Sequence, residues 1–176
     1  DSGMTMTFLR SLKRAIRELL VLIAALVLVC HASAATADIA DFSSDGCSLF
    51  PDGTIKDRSK WCECCLQHDI AYWRGGTEDE RKRADAALRD CVLERTGDKT
   101  LAETMYLGVR AGGHPGFPNW YRWAFGWNYG RGYKLLTEGE QEQVRKKLDL
   151  YWKSHPGGYC AEKHGTAPKK ERGDDK

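Results

Sequence analysis

The sequence predicts an all-α domain that is stapled by disulfides. Four stretches carry the residue spacing of helices, and two of them begin with a capping box, at Thr77 and at Thr137. Six cysteines lie between residues 38 and 160, and the chain begins with the pattern of an export signal. An even number of cysteines in an exported domain favours three disulfides.

The N-terminal 37 residues have the pattern of a secretory signal peptide. Four basic residues between positions 10 and 17 precede an apolar run, 19–29, and small residues follow it. This pattern predicts cleavage after Ala34 or Ala37 and a secreted or periplasmic protein. An uncleaved membrane anchor is the alternative, although the apolar run is short for a membrane span of about 20 residues.

The charge of the predicted mature chain is close to zero. The chain has 27 basic and 25 acidic residues, of which the signal region holds four and two, so 23 of each remain. A nucleic-acid partner is therefore not expected, because that kind of binding depends on an excess of positive charge. The sequence does not indicate an oligomeric state.

Residues 38–58 are predicted to form a turn-rich acidic loop before the first helix. That helix is predicted over residues 59–74, which contain no proline or glycine, and Gly75 and Gly76 end it. The inner face of this helix carries a histidine and an aspartate. An inward carboxylate or imidazole is costly unless it is paired or binds a metal, so the fold must supply a partner to this face. A 3.6-residue repeat puts six residues on the inner stripe: Trp61, Cys62, Cys65, His68, Asp69 and Tyr72.

Two further helices follow directly. The capping box at Thr77 opens a helix over residues 77–95 that Gly97 stops, and Asp85 lies at the edge of its apolar stripe. A third helix is expected over residues 99–110, where apolar residues recur every four positions. The inner face of this third helix is ordinary core.

Residues 114–133 are rich in aromatic residues and interrupted by proline and glycine, so neither a helix nor a strand is predicted there. The segment either folds back to close a small core or forms an interfacial surface, since Trp and Tyr suit the boundary between apolar and wet surroundings. A last helix is predicted from Thr137 to a stop at Pro156, within a domain over residues 38–160. The charged residues 161–176 offer no apolar face and are predicted to be a disordered tail.

Two kinds of site are compatible with the polar face of the first helix. In one, Cys62, Cys65 and His68 bind zinc, although a fourth ligand is not assigned and export favours disulfides. In the other, Asp69 binds a hard cation together with oxygen atoms of the loop 45–48, because such cations take carboxylate and carbonyl ligands. His68 is then free to act as a general base on a water molecule.

A general base of this kind needs a group that fixes the orientation of its ring. Asp85 is the candidate, because it lies at the inner edge of the second helix. The alternative is that Asp85 is a surface acid paired with Arg81 or Arg89, one helical turn away on either side, which would contribute little to stability. The periodicity of the helix does not decide between the two.

These residues together resemble the secreted phospholipase A2 family, and its microbial branch in particular. The resemblance covers about residues 41–95 and implies that helices 59–74 and 77–95 form an antiparallel pair beside a calcium loop. It rests on three matches in the right order: Asp45-Gly46-Cys47-Ser48, then Cys64-Cys65-x-x-His68-Asp69-x-x-Tyr72, then Asp85 followed six residues later by Cys91.

The resemblance also implies an activity and a role for each matched residue. The family hydrolyses the sn-2 ester of glycerophospholipids at a membrane surface, with calcium as cofactor. His68 matches the base that activates water, Asp85 the carboxylate that holds the histidine, and Tyr72 the tyrosine hydrogen-bonded to that carboxylate. Asp69 matches the calcium ligand. Three loop residues would complete the coordination: Asp45, Gly46 and Ser48.

The same mapping predicts how the cysteines pair. Two disulfides would lock the helices together and pin the loop onto the first helix, and the remaining two cysteines are left for each other. The sequence departs from the family in lacking the larger enzymes' glycine-rich calcium loop, and the chain from Gly112 onward has no counterpart. The alternative function is an inactive scaffold that binds lipid or protein. The predicted pairs are Cys64–Cys91, Cys47–Cys65 and Cys62–Cys160.

Overall fold

The computed structural model describes residues 13–14, 16–21 and 38–165, and the chain divides into two units, Asp1–Thr36 and Ala37–Lys176. The described residues of the first unit are helical. Most of the predicted signal peptide, including both expected cleavage positions, lies outside the described residues. Among the residues that are described, no helix has the length and apolar character that crossing a membrane requires.

The second unit is all-α over its described residues, as predicted, and contains no strand there. Long irregular segments precede the first helix and separate the third helix from the fourth. The helices of this described part are α1, Cys62–Arg74; α2, Glu78–Thr96; α3, Lys99–Gly112; α4, Glu138–Ser154; and α5, Gly158–Lys163.

The helix boundaries follow the capping signals of the sequence. Thr77 and Thr137 each form the full capping box that their sequences predict. Helix α1 begins three residues later than predicted, because residues 59–61 form a turn in which the Cys62 amide donates to the Ser59 carbonyl oxygen at 3.1 Å. Helix α3 extends two residues beyond its predicted end.

Helix α5 is absent from the sequence prediction. Gly157 adopts a left-handed conformation, with φ of 88°, and a short helix starts after it where the sequence indicated only a stop. Residues 161–163 belong to this helix, so the predicted start of the disordered tail is wrong. The helix is held by a long-range contact that no local pattern reveals, between Lys163 Nζ and Asp52 Oδ2 at 2.9 Å. Residues 166–176 lie outside the described residues.

Helices α1 and α2 form an antiparallel pair. Residues later in α1 contact residues earlier in α2, and this order defines the relative direction of the two axes. Three contacts show it: Cys64–Cys91, His68–Asp85 and Tyr72–Arg81.

All three predicted disulfides are confirmed. One pins the loop before α1 onto that helix, one joins α1 to α2, and one joins α1 to α5. Each restricts the unfolded chain and stabilises the fold by about 2–4 kcal/mol. Three disulfides indicate an oxidising environment of the extracellular type. The pairs are Cys47–Cys65, Cys64–Cys91 and Cys62–Cys160.

The aromatic segment 114–133 contains neither helix nor strand, and part of it closes the core, as one of the two interpretations expects. Trp123 and Trp127 are buried there. Their indole nitrogens donate to the carbonyl oxygens of Gly76 at 3.0 Å and of Arg74 at 2.7 Å. The segment therefore satisfies carbonyl groups at the C-terminal end of α1, which no residue of the helix itself can do.

A buried ion pair fixes the start of α4. Arg131 donates from both terminal nitrogens to the two carboxylate oxygens of Glu140, at 2.8 and 3.0 Å, and the side chains are 7% and 6% exposed. This pairing lowers the pKa of Glu140 to about 2. The carboxylate is therefore charged over the whole range in which the protein is expected to be folded.

We expect Glu140→Gln to lower the free energy of unfolding at pH 7 by about 3 kcal/mol, because the change leaves a buried guanidinium without its counter-charge. The loss should shrink as the pH falls below the pKa that Glu140 has in the unfolded chain and approaches 2, where Glu140 becomes protonated in the folded protein as well. Urea denaturation measures it. Glu142→Gln is the matched control, since Glu142 pairs with Arg145 in solvent, and an equal loss in both variants would contradict the account.

Candidate active site

His68 and Asp85 meet between the two antiparallel helices. His68 Nε2 lies 2.9 Å from Asp85 Oδ1, and the side chains are 8% and 0% exposed. Because the ionised carboxylate can only accept, Nε2 carries the hydrogen and donates. Nδ1 of the same ring makes no hydrogen bond within the described part of the chain, so its lone pair is available to a ligand or to water.

Asp85 is held on both of its oxygen atoms. The Tyr72 hydroxyl donates to Oδ1 at 2.8 Å, and Arg110 Nη1 donates to Oδ2 at 2.7 Å. Burial alone would raise the pKa of Asp85, but the hydrogen bonds from His68 and Arg110 bring it below its ordinary value. Asp85 is therefore an ionised, fixed acceptor for His68. The alternative of a solvated surface acid is wrong.

Arg81 also belongs to this network, through the Tyr72 hydroxyl. Its guanidinium is buried, donates from Nε to the Tyr72 hydroxyl at 3.0 Å, and lies 3.8 Å from Asp85 Oδ2. It also donates to the Tyr133 hydroxyl at 2.8 Å and to the Arg110 carbonyl oxygen at 2.8 Å. The sequence indicated Arg81 only as a candidate solvated partner of Asp85, so this buried role was not predicted.

Arg110 is a second residue that sequence reasoning missed. It lies in the last turn of α3, where a basic side chain usually faces solvent and the helix C-terminus. The fold instead brings it to Asp85, 25 residues away. The only local signal is that two glycines, Gly112 and Gly113, follow it. A Cβ at Gly113 would lie 2.5 Å from the Tyr72 hydroxyl oxygen, so this end of α3 packs closely on the network.

Asp69 is buried beside the loop that precedes α1. The Ser44 hydroxyl donates to Asp69 Oδ2 at 2.6 Å, and no cationic side chain of the described residues pairs with this carboxylate. Burial raises the pKa of Asp69 to about 8, and the nearby carboxylates of Asp45 and Asp52 add to this shift. The hydrogen bond from Ser44 opposes it. Asp69 therefore lies close to two further carboxylates and has no positive charge of its own to pair with among the described residues.

The loop 45–48 is folded tightly against this site. Gly46 and Ser48 have positive φ, 79° and 52°. The Cys47 amide donates to Asp52 Oδ1 at 2.8 Å, and a Cβ at Gly46 would lie 2.3 Å from that same oxygen atom, so the position requires glycine. The Asp45 carboxylate accepts hydrogen bonds from the Ser48 hydroxyl at 2.9 Å and from an indole at 3.3 Å.

A cavity of about 300 Å³ connects these groups. His68, Asp69 and Tyr72 border it, and so do Gly46 and Ser48 of the loop. The rest of the lining is mainly apolar and comes mostly from residues 46–50, from α2 and from α3. It includes Leu49, Phe50, Leu88, Met105 and Val109. His68 and Asp69 therefore face one predominantly hydrophobic space.

The donor set fits a hard divalent cation such as calcium. Asp69 supplies a buried carboxylate without a counter-charge, and Gly46 and Ser48, whose carbonyl groups are the expected further ligands, border the same cavity. The Asp45 side chain is already engaged by hydrogen bonds, so the predicted contribution of its carboxylate competes with them.

Zinc does not fit the predicted set of Cys62, Cys65 and His68. Both cysteines are in disulfides and offer no thiolate. Asp52, Cys62 and His164 also lie close together, but the same Cys62 sulfur is bonded to Cys160 and Asp52 pairs with a lysine of α5. That cluster is a contact between the loop and the C-terminal helix.

Comparisons with protein-family models, with curated proteins and with solved structures found no match to this chain. The assignment of a function therefore depends on the residues and the geometry described above.

The buried Asp69 should make the calcium-free protein less stable as the pH rises. Its pKa is raised to about 8 in the folded state, so between about pH 4 and pH 8 the unfolded chain releases this proton more readily than the folded chain does. From pH 5 to pH 8 we expect the wild type to lose on the order of 3 kcal/mol of stability relative to Asp69→Asn.

Urea denaturation of both proteins in chelator at the two pH values measures this difference. The Asn side chain does not titrate, so the variant corrects for every other group. A difference that is the same at pH 5 and pH 8 would show that Asp69 is not buried as a carboxyl group without a counter-charge.

Proposed function

We propose that this protein is a calcium-dependent, phospholipase A2-like esterase that hydrolyses the sn-2 ester of glycerophospholipids. The observation that carries the proposal is the arrangement of His68: its Nε2 is fixed by a buried, ionised Asp85, and the residue borders an apolar cavity together with the unpaired carboxylate of Asp69. Binding of a lipid chain alone would require neither the fixed imidazole nor the buried acid.

His68 is the general base in this proposal. Nδ1 accepts a proton from a water molecule as the water oxygen attacks the ester carbonyl carbon. Asp85 holds the imidazole in the required tautomer and stabilises its positive charge, while Tyr72 and Arg110 keep Asp85 in place. The proton then passes from Nδ1 to the leaving alkoxide oxygen as the acyl C–O bond breaks. The products are a fatty acid and a lysophospholipid.

Asp69, with carbonyl groups of Gly46 and Ser48, would hold calcium. The bound ion supplies electrostatic stabilisation of the negative charge that develops on the ester carbonyl oxygen. The protein contributes a loop whose shape is fixed by the disulfide Cys47–Cys65 and by the hydrogen bond from Cys47 to Asp52. Pre-organised ligands of this kind avoid an ordering cost on binding.

The substrate would reach the cavity from a lipid surface. Leu49 and Phe50 border the cavity and are 76% and 36% exposed, so apolar side chains stand where an acyl chain would enter. A phospholipid membrane surface is thus the partner we propose. A secreted or periplasmic location agrees with the disulfides.

Release of fatty acid from a phospholipid with different chains at sn-1 and sn-2 tests this proposal. We expect only the sn-2 chain to be released, and we expect the release to require calcium. Binding of the same vesicles without release under saturating calcium would instead support the inactive lipid-binding scaffold.

A further inference from the structure

A second cavity, of about 310 Å³, shares Ser48, Asp69 and Tyr121 with the apolar cavity but differs in the rest of its lining. Polar residues of the loop before α1 and residues of the aromatic segment supply that lining. The two cavities are neighbours along the three shared residues, so an amphiphilic molecule that spans them would have its polar end in the second. The lining of this polar cavity then decides which polar ends are accepted.

Two aromatic rings form a corner of the polar cavity. The rings of Trp120 and Tyr121 are inclined at 85°, with their centroids 5.2 Å apart, and Phe125 also borders the space. Trp120 is 65% exposed, so its contribution to the core does not explain its position. Aromatic faces at right angles are the walls that cations without hydrogen-bond donors select.

A carboxylate stands beside this corner. Asp45 Oδ2 accepts from the Trp120 indole at 3.3 Å, which places the carboxylate beside the ring. Arg122 also borders the cavity, but its Nη1 donates to the Ala124 carbonyl oxygen and its Nη2 to that of Trp127, both at 2.8 Å. The guanidinium is thus directed at the main chain, and Asp45 is the charged group that contacts the Trp120 ring.

We propose that the polar cavity binds a quaternary ammonium group, the choline head group of a phosphatidylcholine whose ester lies at His68. This proposal rests on the proposed function for its substrate, but the aromatic residues Trp120 and Phe125 that support it border the polar cavity and not the apolar one. Both oxygens of Asp45 already accept a hydrogen bond, from Ser48 and from Trp120. A quaternary ammonium needs charge and aromatic faces but no acceptor, whereas a primary ammonium has three hydrogens to place.

Binding to the His68→Gln variant tests this without hydrolysis. Isothermal titration in calcium-containing buffer compares monomeric dihexanoyl phosphatidylcholine, phosphatidylethanolamine and phosphatidylglycerol. We expect the choline lipid to bind most tightly. Adding Trp120→Ala should weaken its binding about tenfold, the loss typical of one cation–π face, and should leave the glycerol lipid unchanged. Trp152→Ala, a partly exposed tryptophan on α4, is the matched control and should change nothing.

Trp120→Phe separates the ring from its indole hydrogen bond, and it should keep most of the preference for the choline lipid. Equal affinity for the three lipids, or a preference that survives Trp120→Ala, would overturn the proposal. If choline chloride bound as tightly as the choline lipid, the proposal that the bound group belongs to a lipid would be overturned. Weak competition by choline supports a lipid ligand. A wild type that shows Trp120-dependent binding but releases no fatty acid would contradict only the proposed function.

Discussion

His68→Gln should reduce fatty-acid release from phospholipid vesicles at least about a thousandfold, because it removes the imidazole that we propose takes a proton from water. The glutamine can still reach Asp85, so the antiparallel pair α1 and α2 should keep its structure. Initial rates under saturating calcium measure the activity, and urea denaturation checks the fold.

His114→Gln is the control for this change. His114 is exposed in the aromatic segment and borders neither cavity. Its replacement should leave the rate within about twofold, since surface substitutions away from a site have small effects. If both histidine variants kept full activity, the hydrolysis would have to come from groups other than His68.

Asp85→Asn should damage both activity and stability. The wild-type carboxylate has no exposed surface and faces His68, Tyr72, Arg110 and Arg81. An amide leaves two guanidinium groups near an uncharged partner, so we expect a loss of about 3–5 kcal/mol in the free energy of unfolding. Since the amide nitrogen cannot accept from His68 or Arg110, kcat should also fall by at least about a hundredfold.

Asp90→Asn on the same helix provides the comparison. Asp90 is exposed and pairs with Arg89 at the surface, so its replacement should change the unfolding free energy by less than about 1 kcal/mol. If Asp85→Asn were as active and as stable as Asp90→Asn, Asp85 could not be the group that fixes the imidazole.

The sequence was sufficient for the elements that local patterns control. The capping boxes at Thr77 and Thr137 fixed the starts of α2 and α4, because the two reciprocal hydrogen bonds of a capping box depend only on residues three apart. The polar inner face of α1 required a buried partner, and Asp85 is that partner for His68.

The remaining parts of the site depend on contacts between distant segments. Arg110 and Arg81 reach the same carboxylate from the end of α3 and the start of α2. Arg81 lies on the buried stripe of α2 one turn before Asp85, but its spacing fits a solvated pair equally well. Helix α5 is likewise held by the contact of Lys163 with Asp52, in addition to the predicted disulfide. Only the folded chain brings such groups together, so propensity and spacing could not predict them.

The polar cavity shows the same limit. Its aromatic corner comes from a segment without regular structure, and its carboxylate comes from a loop some 75 residues earlier. The sequence indicated an aromatic surface suited to lipid but could not say that Trp120 stands beside Asp45. Tertiary packing therefore determines the selectivity that we propose.

Calcium dependence of hydrolysis tests the central claim most directly. Purified protein should release sn-2 fatty acid from phosphatidylcholine vesicles when calcium is present, and the release should stop in chelator and resume when calcium is restored. Hydrolysis that continues unchanged in chelator would contradict the role of Asp69. The absence of any release under saturating calcium would contradict the assignment of this site as an esterase.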